Sequence, residues 1–346
     1  MASAVINTLK QRLAENASLR PILTSLNGDN SWLISIPRPT AERRGKAYFH
    51  IVSDAWLTPD TVLFRAWVLK LGRQADAAIA DGPAVENLIQ EIEGAAAAAC
   101  NAISAPADDG DIAPSQTSID AIFQNFHYAD HLDERTLRTF GPDVPVFATP
   151  EAAAIIRPWN HFCHVAQTRD LDPACPGTWR DLRPEGGALL PTWLSVFRLT
   201  GHHELNFATA IVWADAVSDA HEALLYSPHG IRVDQPALQA FAHNLDPPVR
   251  VLAMLHALKD SFAFGSRTTL GVAGGLALER QVRPKYWVKS HDAGLLYSGL
   301  IAWLAWINDI TRSIEDGLAE EAGKSGVDAG MPKLVEVDNG DCFVLE

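Results

Sequence analysis

The sequence predicts a mixed α/β fold, and three groups of apolar runs lead to this prediction. Between residues 120 and 156 a strand, a polar loop, a helix, a second strand and a second helix follow one another, which is the order typical of α/β proteins. Residues 31–37 and 47–53 are rich in β-branched and aromatic residues and are joined by a polar turn, which indicates a hairpin. Three more strands are predicted, with short polar connections that favour antiparallel pairing, at 192–199, 209–214 and 222–227.

The composition narrows the class of protein. With 346 residues, 47% hydrophobic and 20% charged, the chain can bury a large core, and we expect one domain over residues 1–346. The net charge of −14 disfavours nucleic acid and anionic membranes, so we expect a small-molecule substrate, while the oligomeric state is left open. The scattered cysteines form no CxxC pair and indicate reduced thiols in a cytoplasmic protein: Cys100, Cys163, Cys175 and Cys342.

Three segments stand apart from the strand pattern. Residues 1–27 have the apolar spacing of an N-terminal helix and not the continuous apolar core of a signal peptide. Residues 75–118 are Ala-rich and helical at first and acidic later, and we expect an insertion or flap without a core of its own. Residues 293–310 are the longest apolar stretch, too short and too polar at Ser298 and Asn308 for a membrane span, and they predict a buried core helix.

Two later segments contain turn signals. Residues 271–275 (GVAGG) lack both the GK[ST] ending and the GxGxxG spacing of phosphate-binding loops, so we expect a tight turn before a helix at 276–282. Residues 334–346 contain two short strands around Asn339-Gly340, which predicts a terminal hairpin.

Polar side chains that can bind a metal recur directly after predicted strands. In DAIFQNFHYADHL (120–132), a short strand leads into an aromatic loop that ends in Asp130-His131. Loops at the carboxyl ends of strands are where α/β proteins hold their binding sites. Strand-end histidines follow in later segments: RLTGHHELNF with His202 and His203, LLYSPHG with His229, and VKSHD with His291.

In chain order, these segments resemble the metallo-β-lactamase superfamily, in particular its branch of L-ascorbate-6-phosphate-lactonase-like proteins, over residues 28–345. The resemblance implies an αββα sandwich of two mixed β-sheets flanked by helices, with the active site in a cleft at the sheet edges. The first motif of that family is HxHxDH. Its four defined positions correspond here to Phe126, Tyr128, Asp130 and His131, so the motif is degenerate and two histidines are replaced by aromatic residues.

The later motifs of the family correspond to the other strand-end histidines. The family places a histidine where this chain has His202 or His203, a metal-bridging aspartate where it has His229, and a final histidine at His291. His127 lies inside the first motif, but alternation along an extended backbone would point its side chain away from the family's ligands.

The resemblance therefore implies one metal ion and not two. The metal site that needs histidines at Phe126 and Tyr128 is not expected to bind zinc. The other site keeps Asp130, His131 and His291, and His229 can replace the lost bridging carboxylate. One aspartate and three histidines suit zinc best, with iron or manganese as alternatives, and a metal-free protein is the remaining possibility.

The other residues of these segments have two interpretations. His127, Tyr128 and His203 can supply acid/base or hydrogen-bonding groups to a substrate, or they can simply pack the vacated metal site. We expect Phe126, His202 and Asp292 to line the substrate pocket. Because twelve histidines make chance pairs common, structural roles compete with every one of these assignments.

The sequence thus favours a metal-dependent hydrolase that acts on a small ester, lactone or phosphoester with a mononuclear centre. Two alternatives follow from the degenerate motif: a metal-free member of the fold that binds a small ligand, and a metal-independent enzyme that catalyses a rearrangement or cyclisation. The metal content of the purified protein distinguishes the first hypothesis from the other two.

Overall fold

The computed structural model describes residues 9–13, 18–43, 45–63, 65, 67–103, 118–184, 189–214, 220–304, 307–325 and 330–346. By their internal contacts, the residues fall into two compact units. The first unit comprises Met1–Thr58, Asp76–Ala166 and Val337–Glu346, and the second comprises Pro59–Ala75 and Gln167–Glu336. One domain over residues 1–346 stays a prediction.

The strands are β1 Ile22–Ser25, β2 Trp32–Pro37, β3 Tyr48–Ser53, β4 Asp60–Leu63, β5 Leu69–Arg73, β6 Ala121–Gln124, β7 Val146–Ala148, β8 Val165–Gln167, β9 Arg169–Asp170, β10 Leu194–Leu199, β11 Ala208–Ala214, β12 His221–Tyr226, β13 Val249–His256, β14 Asp260–Ala263, β15 Ser266–Leu270, β16 Tyr286–Lys289, β17 Leu295–Ser298, β18 Asn308–Ile310, β19 Leu334–Val335 and β20 Cys342–Val344. The helices are α1 Gly82–Ile103, α2 Glu134–Leu137, α3 Pro150–Ile156, α4 Pro236–His243, α5 Gly271–Val282, α6 Leu300–Leu304 and α7 Ile314–Ser325. Short 3₁₀ helices lie at Thr40–Glu42, Arg157–Trp159 and Pro176–Asp181.

The first unit contains a mixed seven-stranded sheet in the order β20-β1-β2-β3-β6-β7-β8. The predicted hairpin is confirmed, since β2 and β3 pair antiparallel with Trp32 opposite Ser53. β3, β6 and β7 are mutually parallel. Because parallel strands end at the same edge, the residues that follow β3 and β6 become neighbours.

Helix α1 belongs to the core of the first unit and is not a flap. Its apolar face contributes buried residues to the cluster formed by β1, β3, β6 and β7: Val85, Ile89, Ile92, Ala95, Ala96 and Ala99. The acidic loop at 104–117, which the sequence assigned to the same insertion, lies outside the described residues.

Glu93 attaches α1 to the sheet. Its carboxylate accepts hydrogen bonds from the backbone N–H groups of Ala47 (2.7 Å) and Tyr48 (2.9 Å), and its Oε1 lies 2.9 Å from Nε2 of the buried His50. Burial opposes ionisation of Glu93, but the hydrogen bonds from His50, Ala47 and Tyr48 outweigh it and lower the pKa below its ordinary 4.5.

The second unit contains another seven-stranded mixed sheet, in the order β19-β16-β13-β12-β11-β10-β9. The predicted antiparallel pairing of β10, β11 and β12 is confirmed. β12, β13 and β16 are parallel, so the loops after them meet at one edge of this sheet. Helices α4, α5 and α7 contribute to the apolar core on this sheet, which includes Phe241, Leu276 and Ile314. The small sheets β15-β14-β18 and β17-β5-β4 complete the unit.

Two helix predictions are wrong in extent or kind. Residues 9–13 are helical, but the chain has entered β1 by Ile22, so the N-terminal helix does not reach residue 27. The described residues of 293–310 form β17, α6 and β18 and not one buried helix, and Leu296, Leu300 and Leu304 are exposed. Among the described residues, every helix is too short or too polar to cross a bilayer.

The two turn predictions also need correction. The strands around Asn339-Gly340 do not pair with each other, because β19 adds to β16 and β20 adds to β1. The GVAGG segment is the first turn of α5 and not a loop before it. Gly275 is required there by packing, since a Cβ atom would lie 2.3 Å from the Trp287 ring.

Candidate metal-binding residues

His131 lies in the loop after β6 and is completely buried. Its Nδ1 donates a hydrogen bond to Oδ2 of Asp54 at 2.9 Å. With the proton on Nδ1, the lone pair of the neutral ring is on Nε2, which lies 3.8 Å from Oδ2 of Asp130. A histidine oriented by a carboxylate in this way is characteristic of metal ligands.

Asp54 is the residue of this site that sequence reasoning missed. It directly follows β3, is fully buried, and has a left-handed backbone conformation with a φ of 47°. Its Oδ1 accepts the backbone N–H of Asn125 at 2.7 Å, while its Oδ2 holds His131. The sequence does show an acidic residue, Asp54, at the end of the β3 strand. Assigning it to this site would have required the knowledge that β3 and β6 are parallel neighbours.

Amide side chains hold the rest of the loop. Asn30 Nδ2 donates to the backbone carbonyl of Asp130 at 2.8 Å. Gln124 Nε2 donates to the carbonyls of Phe126 (3.0 Å) and His131 (2.8 Å). The loop therefore keeps its shape through hydrogen bonds inside the first unit.

The surroundings of His131 favour a positive charge. Burial lowers the pKa of His131, but the carboxylates of Asp130, Asp54 and Asp29 more than compensate, so its pKa is raised above the ordinary 6.5. An environment that stabilises a proton on this ring also stabilises a metal cation there.

The three aromatic positions of the same loop differ in exposure. Phe126 is buried, and its ring centroid lies 4.6 Å from that of His131, so it covers the ligand ring. His127 and Tyr128 are partly exposed and stack on each other, with centroids 4.3 Å apart. His127 and Tyr128 are thus accessible to solvent, whereas Phe126 packs against His131, and the roles predicted for all three residues stay predictions.

In the second unit, His229 and His291 come together. Both are buried, and their rings meet edge to face with centroids 4.6 Å apart. Nδ1 of His229 lies 3.0 Å from Oγ1 of Thr269, so donation to that hydroxyl places the ring's lone pair on Nε2. His291 has a left-handed backbone conformation with a φ of 64°.

Three other residues of the second unit were predicted as site residues: two of them are exposed, and the third holds a loop. His202 and His203 are exposed in the loop between β10 and β11; burial and then Arg232 lower the pKa of His202. Asp292 accepts backbone N–H groups from Leu258 and Lys259, and burial raises its pKa despite these bonds. Its carboxylate therefore fixes a loop.

Known structures share the fold of this chain. An isothiocyanate hydrolase from gut bacteria of Delia radicum matches with a TM-score of 0.53 and 13% identity, over 94% of this chain and 99% of that one. A possible metal-dependent hydrolase from Veillonella parvula matches with a TM-score of 0.52 and 9% identity, over 95% and 100%. The metallo-beta-lactamase fold protein YhfI from Bacillus subtilis matches with a TM-score of 0.47 and 10% identity, over 94% and 99%.

The predicted α/β class is confirmed: the chain has mixed sheets with helices packed on them. It shares its fold with an isothiocyanate hydrolase and with a possible metal-dependent hydrolase, both at TM-scores above 0.5. At these identities the likeness concerns the fold alone. No protein-family model matches the sequence, and no curated protein matches it.

The side-chain donors of each unit suit a divalent transition-metal ion. Nδ1 of His131 and Nδ1 of His229 both face side-chain oxygens, which is the arrangement that leaves Nε2 for a metal. His131 in the first unit and His229 and His291 in the second unit are all buried.

Proposed function

We propose that this protein is a metal-dependent hydrolase of a small ester, lactone or phosphoester that uses a single divalent ion, zinc first. The candidate ligands are those that the sequence predicted, Asp130 and His131 in the first unit and His229 and His291 in the second. The observation that carries the proposal is the Asp54–His131 pair: a buried carboxylate 2.9 Å from Nδ1 fixes the ring, and Asp130 lies beside Nε2. The names of the two structural neighbours with TM-scores above 0.5, both hydrolases, support the reaction class.

When bound, a divalent ion polarises a carbonyl or phosphoryl oxygen and lowers the pKa of a bound water towards neutrality. The chain's own residues would do the remaining work. Asp54 keeps the proton of His131 on Nδ1, and Phe126 keeps water away from that ring. His127 and Tyr128 are partly exposed beside it and can exchange hydrogen bonds or protons with a substrate.

The loss of histidines at Phe126 and Tyr128 supports one ion per chain. Phe126 offers no ligand atom and is buried against His131. The narrower form of the proposal is a lactonase of the L-ascorbate-6-phosphate-lactonase-like branch. A lactone is an internal ester, and one Lewis-acidic ion can activate its small, electrophilic carbonyl group.

The test is elemental analysis of protein purified without chelator, together with the variants His131→Ala and His291→Ala. We expect close to one equivalent of zinc, iron or manganese in the wild type, and a loss of most of it in both variants. Matched controls are His161→Ala, whose ring contacts the carbonyl of Phe140, and His243→Ala, whose ring contacts Gln281; both should keep the metal.

The second part of the test is activity against a panel of lactones, aryl esters and phosphodiesters, before and after chelation. Hydrolysis that is lost on chelation and restored by zinc supports the proposal. Less than a tenth of an equivalent of metal, with no change in melting temperature on adding zinc, would overturn it and favour a metal-free protein that binds or isomerises its ligand. Two equivalents would contradict the mononuclear centre.

A further inference from the structure

The chain around His291 is held by residues that follow a different strand. β13 and β16 pair in parallel, with His256 opposite Lys289, so the loops after these two strands leave the sheet side by side. The backbone N–H of Ser290 donates to the carbonyl of His256 at 3.3 Å, which extends the pairing by one residue. The next residue of β16's loop is His291.

Directly after His291, the loop that follows β13 makes two sets of hydrogen bonds to the chain. Both oxygens of Asp292 accept the backbone N–H of Leu258, at 2.8 and 3.0 Å, and Oδ1 also accepts that of Lys259 at 2.7 Å. The Nζ of Lys259 then donates to the carbonyl of Ala293 at 3.1 Å. We call these four residues, Leu258, Lys259, Asp292 and Ala293, the His291 clamp.

The clamp explains an otherwise unfavourable conformation. His291 has a φ of 64°, in the left-handed region that residues with a Cβ atom rarely occupy, and its side chain is buried. Such a conformation persists only where the surrounding structure imposes it, and it is concentrated at functional sites. The clamp holds the side chain of Asp292 and the carbonyl of Ala293, so it restrains the two residues that follow His291 and, through them, the backbone that carries the imidazole.

Lys259 is more deeply buried than a lysine that only closes a loop would have to be. Its side chain is 6% exposed, and its Nζ lies 3.9 Å from Oδ2 of Asp309, which accepts the hydroxyl of Tyr297 at 3.0 Å. An exposed lysine would make the same bond to Ala293 without the cost of burying an ammonium group. The buried charge is matched by the carboxylates of Asp292 and Asp309, so the clamp is one connected polar network.

We propose that Lys259 and Asp292 are positioning residues that preorganise His291 for metal binding. This inference rests on the proposed function, since it assigns the clamp to a ligand of the proposed ion. Neither residue contacts the metal or the substrate in this role; both act through the backbone of His291.

The experiment measures the zinc dissociation constant by competition with a chromophoric chelator, for the wild type, Lys259→Met and Asp292→Ala. Lys259→Met keeps approximately the length of the side chain and the backbone N–H that holds Asp292. It removes the buried charge and the Nζ contacts to Ala293 and Asp309. We expect the dissociation constant to rise at least about tenfold in each variant, as for other residues that orient metal ligands. Lys285→Met and Asp234→Asn, at exposed positions of the same unit, should stay within twofold.

Two further measurements separate positioning from general stability. Lys259→Arg retains a cationic donor and should recover part of the zinc affinity that Lys259→Met loses. Across the variants, the loss of zinc affinity should not parallel the change in melting temperature of the metal-free protein. The visible spectrum of the cobalt-loaded protein should change in Lys259→Met, because the direction of one ligand changes. Asp292→Ala removes three hydrogen bonds, so if it fails to fold, Lys259→Met and Lys259→Arg decide the question.

The outcomes are distinguishable. A wild type that binds none of zinc, iron and manganese overturns both the proposed function and the clamp. A wild type that binds zinc, with variants whose dissociation constant and cobalt spectrum match those of the wild type, overturns the clamp and leaves the proposed function standing.

Discussion

His131 and His291 are buried histidines that both follow parallel strands, yet the protein fixes them by different means. In the first unit, the side chain of His131 is held directly by a carboxylate, Oδ2 of Asp54. In the second unit, His291 is held through its backbone, which is left-handed and fixed by Asp292 and Lys259. The first arrangement depends on a buried charge and the second on chain geometry, so they should respond to different substitutions.

The largest effect is expected for Asp54→Ala, which removes the buried charge of the first arrangement. The variant leaves His131 and the N–H of Asn125 without their acceptor, and breaking a buried charged pair costs about 3–5 kcal/mol. Urea unfolding of the metal-free protein at neutral pH measures this loss.

Asp234→Ala is the matched control, because Asp234 is an exposed carboxylate paired with Arg232. It should change the free energy of unfolding by less than about 0.5 kcal/mol. A loss below about 1 kcal/mol for Asp54→Ala would mean that charge does not hold the first site together.

Gly230→Ala tests the dependence of the second unit on chain geometry. Gly230 follows His229, has a φ of 83°, and a Cβ atom there would lie 2.8 Å from Nε2 of His256 and 2.9 Å from Cβ of Leu270. His256 is fully buried, and burial lowers the pKa of its imidazole to about 4, so the ring is neutral at pH 7. Strain and crowding together should lower the free energy of unfolding by about 3 kcal/mol.

Gly265→Ala separates these two contributions. Gly265 also has a positive φ, 74°, but a Cβ atom would meet nothing within 4 Å. This variant should lose only the strain, about 1 kcal/mol. Equal losses at Gly230 and Gly265 would show that crowding around His256 is unimportant.

The pH dependence of stability is expected to come partly from Glu93, which binds α1 to β3. Its folded pKa lies below 4.5, so it contributes fully above pH 4.5, and the contribution is lost as the pH falls through the folded pKa. Glu93→Gln should lower the free energy of unfolding at pH 7 by about 2 kcal/mol and flatten its decline below pH 4.5.

Glu134→Gln provides the comparison for Glu93, because Glu134 forms an exposed pair with Arg138 on a helix surface. This variant should shift stability by less than about 0.5 kcal/mol at any pH. If Glu93→Gln kept the full acid dependence of the wild type, other carboxylates would have to account for it.

The local sequence pattern predicted the positions of the strands better than it predicted which strands pair with each other. The hairpin of β2 and β3 and the meander of β10 to β12 were predictable because each pairs with its sequence neighbour. The strands at 334–346 resembled a hairpin, but β20 pairs with β1, which lies more than 300 residues earlier. The pairing partner of β20 depends on which sheet edge is available in the folded protein, and no local sequence pattern contains that information.

The candidate site was predictable to a similar extent. Strand ends predicted Asp130, His131, His229 and His291 as ligands. The structure buries the three histidines, and their role as ligands stays a prediction. Asp54 and Lys259 were missed, because each acts on a residue that follows another strand. A supporting residue of this kind is recognisable only once the neighbouring parallel strands are known.

The smallest effect is expected for Thr269→Val, which removes a neutral side-chain contact of the candidate ligand His229. Oγ1 of Thr269 lies 3.0 Å from Nδ1 of His229, and valine has nearly the same shape without the hydroxyl. Loss of a neutral hydrogen bond should cost about 1 kcal/mol in urea unfolding of the metal-free protein, well below the cost of removing Asp54. Thr178→Val, at an exposed threonine bonded to the carbonyl of Cys175, is the control and should cost less. A loss of 3 kcal/mol or more at Thr269 would remove the contrast between the units, because a neutral contact would then matter as much as a buried charge.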